Sequence, residues 1–223
     1  MAIFTPESKF SMIMSRLAWG CYLNLLWFVC SLPIVTMGAA STALYYVTLK
    51  IAEDREGDIT QQFFRSFRSN FKQATQLWLI LLAIGVVLGL DIYTLRHLSA
   101  ATSGALAVAI TLCLAVVIVA CVILAIVLTY VFPLLARVDN TNLNMLKNSL
   151  LIGLRYLSCT ICCLFVRVVM ALVVINIFTP AIALGEGVCA LLCSYLLAPV
   201  IRLVTREEGD MAEYDELNTR GGR

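Results

Sequence analysis

Charge is what this sequence has least of. Of 223 residues, 16 are Lys or Arg and 14 are Asp or Glu, so 13% of the chain is charged and the net charge is +2. A soluble domain carries about 25% charged residues. So thin and balanced a supply excludes nucleic-acid binding, which needs a basic surface to neutralise phosphates. Histidine occurs once and prolines number five. With one His and no glycine-rich loop, hydrolytic triads and phosphate cradles have nothing to stand on. Strict alternation of polar and apolar residues over segments of about ten is also missing, which excludes a transmembrane β-barrel.

What fills the chain instead is apolar: 61% of residues are hydrophobic, and mean hydropathy is +0.92. These residues come in long runs rather than stripes, and runs of roughly 18 or more read as membrane-spanning helices. The sequence predicts an all-α, polytopic transmembrane bundle whose first partner is the lipid bilayer.

Six membrane segments are expected, at about 17–35, 39–51, 77–95, 106–136, 156–178 and 188–204. The first two come from one stretch of apolar residues, Leu17 to Leu49. As one helix it would reach about 50 Å, against a hydrocarbon core of about 30 Å. Pro33 disfavours helix just before it, and Thr36 and Gly38 supply a cap and a flexible restart, so Pro33, Thr36 and Gly38 form a helix joint. A single bent first helix would give five spans instead. The first run is too long for a signal-peptide core and is read as retained.

Two connections look amphipathic. In the first, Phe63, Phe64, Phe67 and Phe71 fall on one face and Arg65, Arg68 and Lys72 on the other. This is the pattern of a helix lying at the membrane interface or docking on a partner. The second, Asp139–Arg155, sets Leu143, Leu146, Leu150 and Leu154 against Asn144, Lys147 and Asn148. Residues 1–206 form one transmembrane domain. The stretch 207–223 is rich in Asp and Glu and is expected to be a disordered cytoplasmic tail.

Orientation follows Lys and Arg. They concentrate at Lys50–Lys72, at Arg137–Arg155 and at Arg202–Arg206, while the intervening loops hold only Arg96. The three basic regions are therefore inside, as are Lys9 and Arg16 if six segments cross, and the C-terminus is cytoplasmic.

The nine cysteines all sit in apolar runs. Cys159 and Cys162 have C-x-x-C spacing, but no His completes a metal set. Packing is their expected role; no metal and no cofactor is implied.

One ionisable residue stands mid-run: Arg167, about eleven residues into its span. Charged groups at that depth are expensive and point to function. Asn24, Ser194 and Tyr195 fall at comparable depth by residue count, whereas Asp91 and Glu186 are expected near the outer surface. Glu186 belongs to a tight turn around Pro180, Gly185, Glu186 and Gly187 that joins the last two spans. Tyr45 sits near a span end, where amphipathic side chains are expected anyway. Two readings stand. Arg167, Asn24, Ser194 and Tyr195 form a pocket for an anionic or polyhydroxy ligand, or Arg167 bonds Asn24 and free carbonyls at the Pro33 break and holds helices together. No paired acid and base is in sight, so no enzyme activity is expected.

The order of motifs resembles the YesL-like bacterial membrane proteins. The resemblance rests on Asn24-Leu25-Leu26-Trp27, Ser31-Leu32-Pro33-Ile34-Val35-Thr36-Met37-Gly38 and Ala43-Leu44-Tyr45-Tyr46. It continues through Phe63–Phe67, Asn70–Gln73, Val131–Arg137 and Leu146–Asn148. Ala39 stands where the family usually has a proline. The resemblance implies a bacterial plasma-membrane protein linked with carbohydrate-utilisation loci, and an accessory or regulatory part in carbohydrate uptake. An ABC sugar permease or a sensor kinase is then the implied partner, with a homo-oligomer as the other association. A small carrier or channel built around Arg167 is the alternative. The family supplies no established site residues.

Overall fold

The structure is a computed structural model that describes residues 9–55, 57–100, 102–138, 140–176 and 182–221, with side chains described over 14–55, 57–99, 102–138, 140–173 and 185–206. The described residues form seven α-helices and no strand: α1 (Lys9–Ser31), α2 (Met37–Ala52), α3 (Ile59–Ala100), α4 (Ala105–Leu135), α5 (Asn142–Arg155), α6 (Leu157–Asn176) and α7 (Ile182–Gly221). Four stretches, three in α3, α4 and α7 and one joining the Ile34–Thr36 turn to α2, are long and apolar enough to cross a membrane. They become five if the bent pair α5–α6 counts as one span. An integral membrane protein is compatible with this set.

The chain breaks between α1 and α2. Pro33 is extended (φ −76°, ψ 115°) ahead of a single 3-10 turn, Ile34–Thr36. Proline at that point removes a backbone donor and bars the preceding residue from helix. The freed carbonyls find other donors: Thr36 Oγ1 donates to Cys30 O at 2.6 Å and to Pro33 O at 2.8 Å, and Trp78 Nε1 donates to Ile34 O at 2.8 Å. That matters in an apolar setting, where an unpaired backbone group is expensive.

The break reverses the chain. Gly187 N–H donates to Asn24 Oδ1, and Arg16 Nη1 donates to Tyr195 Oη, each at 2.6 Å, so α1 and α7 run antiparallel. The Thr48 and Ser194 hydroxyls meet at 2.7 Å, and Arg202 Nε donates to Glu53 Oε1 at 3.1 Å, so α2 and α7 run parallel. Trp78 and Phe132 lie 6.3 Å apart, while Gly85 faces Leu124 seven residues on, which makes α3 and α4 an antiparallel hairpin. Cys159 against Leu196 O and Arg167 against Glu186 set α6 antiparallel to α7. Thus α1, α3 and α6 run one way and α2, α4 and α7 the other. α1 and α2 therefore form a hairpin.

Small residues let the seams close. A Cβ on Gly187 would lie 2.3 Å from Gly20 O, and one on Gly38 would lie 2.6 Å from Ala74 O. A Cβ on Gly153 would lie 2.2 Å from Ile126 Cγ2. Close approach of small residues is the usual basis of helix association in lipid, where lipid tails are as apolar as leucine. The core therefore gathers around α2 and α7: Ala39, Ala43, Leu44, Tyr45, Val47, Leu191, Cys193 and Leu197 are all buried.

Three expectations need correction. Residues 59–72 are not a separate interfacial helix ahead of a span at 77–95, but the first third of the continuous 42-residue α3, about 63 Å long. Nothing in Gln73-Ala74-Thr75-Gln76 stops a helix, so the polar and apolar halves fuse. Gly185–Gly187, read as a turn, lies inside α7; Pro180, read with it, falls outside the described residues. The backbone of α7 also stays helical to Gly221, beyond the expected limit at 206, since extending an existing helix needs no new nucleus.

α5 remains a separate 14-residue helix, set at 100° to α6. It buries Met145, Ser149 and Ile152 and turns Leu143, Leu151 and Leu154 outward. Thr160 Oγ1 donates to Gly153 O at 2.8 Å across the bend and meets Tyr130 Oη at 2.9 Å.

Beyond Leu81 in α3 and before Ile126 in α4, Ile110 is the sole buried residue among those described. The two helices extend together as a hairpin whose outward leucines, valines and isoleucines are exposed. No Asp, Glu, Lys or Arg occurs from Gln73 to Leu90 or from His97 to Ala136.

Candidate functional site

Arg167 sits in α6, and its guanidinium reaches across the bundle. Nη2 donates to Tyr45 Oη of α2 at 2.5 Å, and Tyr45 is 1% exposed. Nη1 lies 3.8 Å from Glu186 Oε1 of α7. At that separation the two form an ion pair without a hydrogen bond. Each side chain is about three-tenths exposed, 29% for Arg167 and 30% for Glu186. Arg167 Nε is buried with no hydrogen-bond partner in the structure.

This puts an acid beside Arg167, where none was expected. Because α7 begins at Ile182, Glu186 already lies one turn inside it and faces α6. Asn24 is likewise not a partner of Arg167. Its Oδ1 accepts from Gly187 N–H, and its Nδ2 is buried without a partner. Asn24 therefore acts on the site through the backbone, fixing the turn of α7 that carries Glu186.

The other predicted members lie elsewhere. Ser194 is buried against Thr48. Tyr195 is exposed, accepts from Arg16 Nη1, and has that guanidinium 5.7 Å from its ring centroid. Of the residues expected around Arg167, none touches it; Tyr45 and Glu186 do. Tyr45 was placed near a span end and Glu186 in a loop, so residue counting could not reach either.

Two adjoining cavities share Trp27, Arg167 and Glu186. One, of about 210 Å³, adds Met170 and Cys189; the other, of about 250 Å³, adds Tyr45 and Trp78. Trp27 Nε1 is held by Ser41 Oγ at 3.1 Å, and Trp78 Nε1 by Ile34 O, which fixes both indoles. A guanidinium, a carboxylate and a phenol thus stand beside two indole faces. The first three present donors and acceptors to hydroxyl groups, and an indole face takes the C–H side of a ring. Neutral or zwitterionic polyhydroxy compounds match this wall better than a simple anion does, because Glu186 already balances Arg167.

Along α3 the aromatic residues divide. Phe63 is fully buried in the core and stacks on Phe67 at 6.4 Å, while Phe64 and Phe71 are exposed. Arg65, Arg68 and Lys72 are exposed. Phe64, Arg65 and Arg68 line a broad concavity of about 720 Å³ with Gln61, Gln62 and Ser69. Pro33 and Thr36 sit in the α1–α2 break, and Gly38 serves the contact of α2 with Ala74 and Trp78.

The described cysteines are free thiols, and no cluster of His, Cys, Asp or Glu among the described residues has the arrangement of a metal site.

A family model described as a protein of unknown function, DUF624, matches residues 21–92, less than half of the chain. The match begins in α1 and ends within α3, so it takes in the Pro33 break, Tyr45 and the aromatic-basic part of α3, and leaves Arg167 and Glu186 outside. No curated protein and no solved structure matches the chain.

Proposed function

We propose that this chain is a non-catalytic, six-segment protein of the bacterial plasma membrane that serves carbohydrate uptake as an accessory or regulatory subunit. The six segments are α1, α2, α3, α4, α6 and α7, with α5 at the interface and the C-terminus in the cytoplasm. The alternating helix directions support an even count, because Arg16 of α1, Asp54 after α2 and Tyr195 of α7 meet at one end of the bundle. α1 has the length of a span, although Arg16 and Asn24 lower its apolar character.

One observation carries the subunit reading: so much of the molecule is left without an internal partner. The α3–α4 hairpin is apolar and nearly uncovered, and at its base α3 presents the concavity with Phe64, Arg65 and Arg68. A hairpin of this kind suits lateral contact with another membrane protein, and the concavity suits an acidic cytoplasmic element. The sugar context comes from the YesL-like resemblance, which makes an ABC sugar permease or a sensor kinase the partner. Deleting the gene in its host and measuring uptake of labelled sugars tests the reading. Uptake of at least one sugar falls while its permease is still made; unchanged uptake of every sugar tried contradicts it.

The pair Arg167–Glu186 with its flanking indoles favours a second reading, a small carrier or channel for a polyhydroxy solute. Arg167→Ala separates the two. A carrier loses solute binding while it stays folded, whereas a subunit loses stability or nothing.

A further inference from the structure

At the end of the bundle away from the Pro33 break, three guanidiniums converge on one carboxylate. Glu53 closes α2 and its side chain is 4% exposed. Arg137, just past α4, donates from Nη2 to Glu53 Oε2 at 2.9 Å, and Arg202 of α7 donates from Nε to Oε1 at 3.1 Å. Arg55 in the α2–α3 loop brings Nη1 to 3.9 Å from Oε2, an ion contact too long for a hydrogen bond. Beside the cluster is a cavity of about 390 Å³ lined by Glu53, Arg55, Arg137, Ile201, Arg202 and Thr205.

Among the described residues the charges do not balance, since three cations face one anion. Each guanidinium offers five N–H donors, and Glu53 takes a hydrogen bond from two of the three arginines. Arg137 Nε is buried with no hydrogen-bond partner in the structure. The floor of the cavity, Glu53 and Arg137, is closed in, with Arg137 19% exposed, while Arg202 and Arg55 stand open at 57% and 69%. The carboxylate thus holds two guanidinium forks beside the cavity, and it takes a hydrogen bond from one donor of each: Nη2 of Arg137 and Nε of Arg202. A planar fork matches the oxygens of a phosphate group two at a time.

We propose that this cavity is a binding site for a phosphate-bearing anion, gripped by Arg137, Arg202 and Arg55 and kept in register by Glu53. The phosphate comes from an anionic lipid headgroup or from a soluble phosphorylated compound. The assignment does not depend on the sugar-uptake reading.

The test uses the full chain purified in a mild non-ionic detergent. In one arm, inorganic phosphate is titrated at constant ionic strength against chloride and thermal unfolding is followed. In the other, the protein is exchanged into mixed micelles holding phosphatidylglycerol or phosphatidylcholine, and retained lipid is counted by native mass spectrometry. Stabilisation by phosphate alone assigns a soluble ligand; preferential retention of phosphatidylglycerol alone assigns a lipid headgroup; both together assign a site open to either. Arg202→Gln, at the open side, should elute as a folded protein and bind the effective probe about tenfold or more weakly, as expected for a lost charge-assisted hydrogen bond. Glu53→Gln removes the internal anion, so it should melt lower in chloride and gain more from the effective probe than the parent chain does. No response of the parent chain to either probe overturns the proposal. So does unchanged binding by Arg202→Gln, or a gain for Glu53→Gln no larger than the parent's.

Discussion

Replacing Gly187 by alanine adds one methyl group to the α1–α7 seam, and the geometry fixes what it meets. The new Cβ would lie 2.3 Å from Gly20 O, 2.5 Å from Asn24 Cβ and 3.0 Å from Asn24 Cα. Ordinary contact begins near 3.4 Å, so the helices must part by about 1 Å, and the obstacles are backbone and a Cβ, which cannot swing aside. Overpacking of this kind costs about 1–3 kcal/mol. Parting the helices also stretches the 2.6 Å bond from Gly187 N–H to Asn24 Oδ1, and leaving that buried acceptor unpaired adds about 1–3 kcal/mol. Alanine's better helix propensity returns up to about 1 kcal/mol. The net expectation is a loss of about 2–4 kcal/mol. Gly20, four residues from Asn24 in the same seam, is the control: its added Cβ meets Leu191 Cδ2 at 3.5 Å and Gly187 O and Val188 Cα at 3.9 Å, all ordinary contacts, so Gly20→Ala should stay within about 0.5 kcal/mol of the parent. Thermal unfolding in detergent, followed by size-exclusion recovery after heating, reads both variants. Equal stability of Gly187→Ala and the parent, or equal damage at the two glycines, would refute the seam as described.

Other outcomes follow from the two charge clusters and the helix directions. Removing Arg167 alone (Arg167→Met) or Glu186 alone (Glu186→Gln) should destabilise by about 1–3 kcal/mol, less than for a fully buried pair because both are three-tenths exposed. The double variant should lose less than the sum, and additive losses in a double-mutant cycle would deny the pairing. At Glu53, burial pushes the carboxyl upward, but hydrogen bonds from Arg202 and Arg137 and their charges outweigh it and hold it below its usual range. A lowered folded-state value means the stabilisation is complete above the ordinary glutamate range, about 4.3, and is lost as pH falls through the depressed value. Acid unfolding monitored from pH 6 down to pH 2 should therefore show a step that Glu53→Gln lacks; matching curves would remove Glu53 as its source. In a cysteine-free background, single cysteines at Asp58 and Asn140 should react with an impermeant maleimide only after the cells are opened, and one at Ser103 should react in intact cells. The reverse pattern would invert the orientation.

Much of the helical frame could be read from the residues. Runs of apolar side chains with few charges and no strand-like alternation identify membrane helices because only a helix or a closed barrel satisfies backbone groups in lipid, and Pro33 marks a break because its ring forbids helix behind it. Arg167 stood out for the same electrostatic reason. Its partner did not: depth was counted from Val188, and treating Gly185–Gly187 as a turn moved Glu186 outward, whereas α7 starts six residues earlier at Ile182. Asn24 and Arg167 sit at similar counted depths, but depth says nothing about which way a side chain faces around the helix axis, and Asn24 faces α7. The fusion of residues 59–72 with the following span was legible, since Gln73–Gln76 holds neither proline nor glycine; the polar pattern simply outweighed the missing stop signal. The Glu53 cluster was not legible at all. Arg55 neighbours Glu53 in the chain, but Arg137 and Arg202 lie 84 and 149 residues away, and no spacing rule links charges brought together only by helix packing.

The claim that most needs testing is that the chain works as a subunit of a carbohydrate-uptake assembly. Affinity purification in mild detergent from cells grown on different sugars, with quantitative mass spectrometry of what is retained, tests it most directly. A sugar permease or a sensor kinase should be recovered in near-stoichiometric amount, and less of it when Arg65 and Arg68 are replaced by glutamate. Recovery of this chain alone, or only as a homo-oligomer, on every sugar would contradict it.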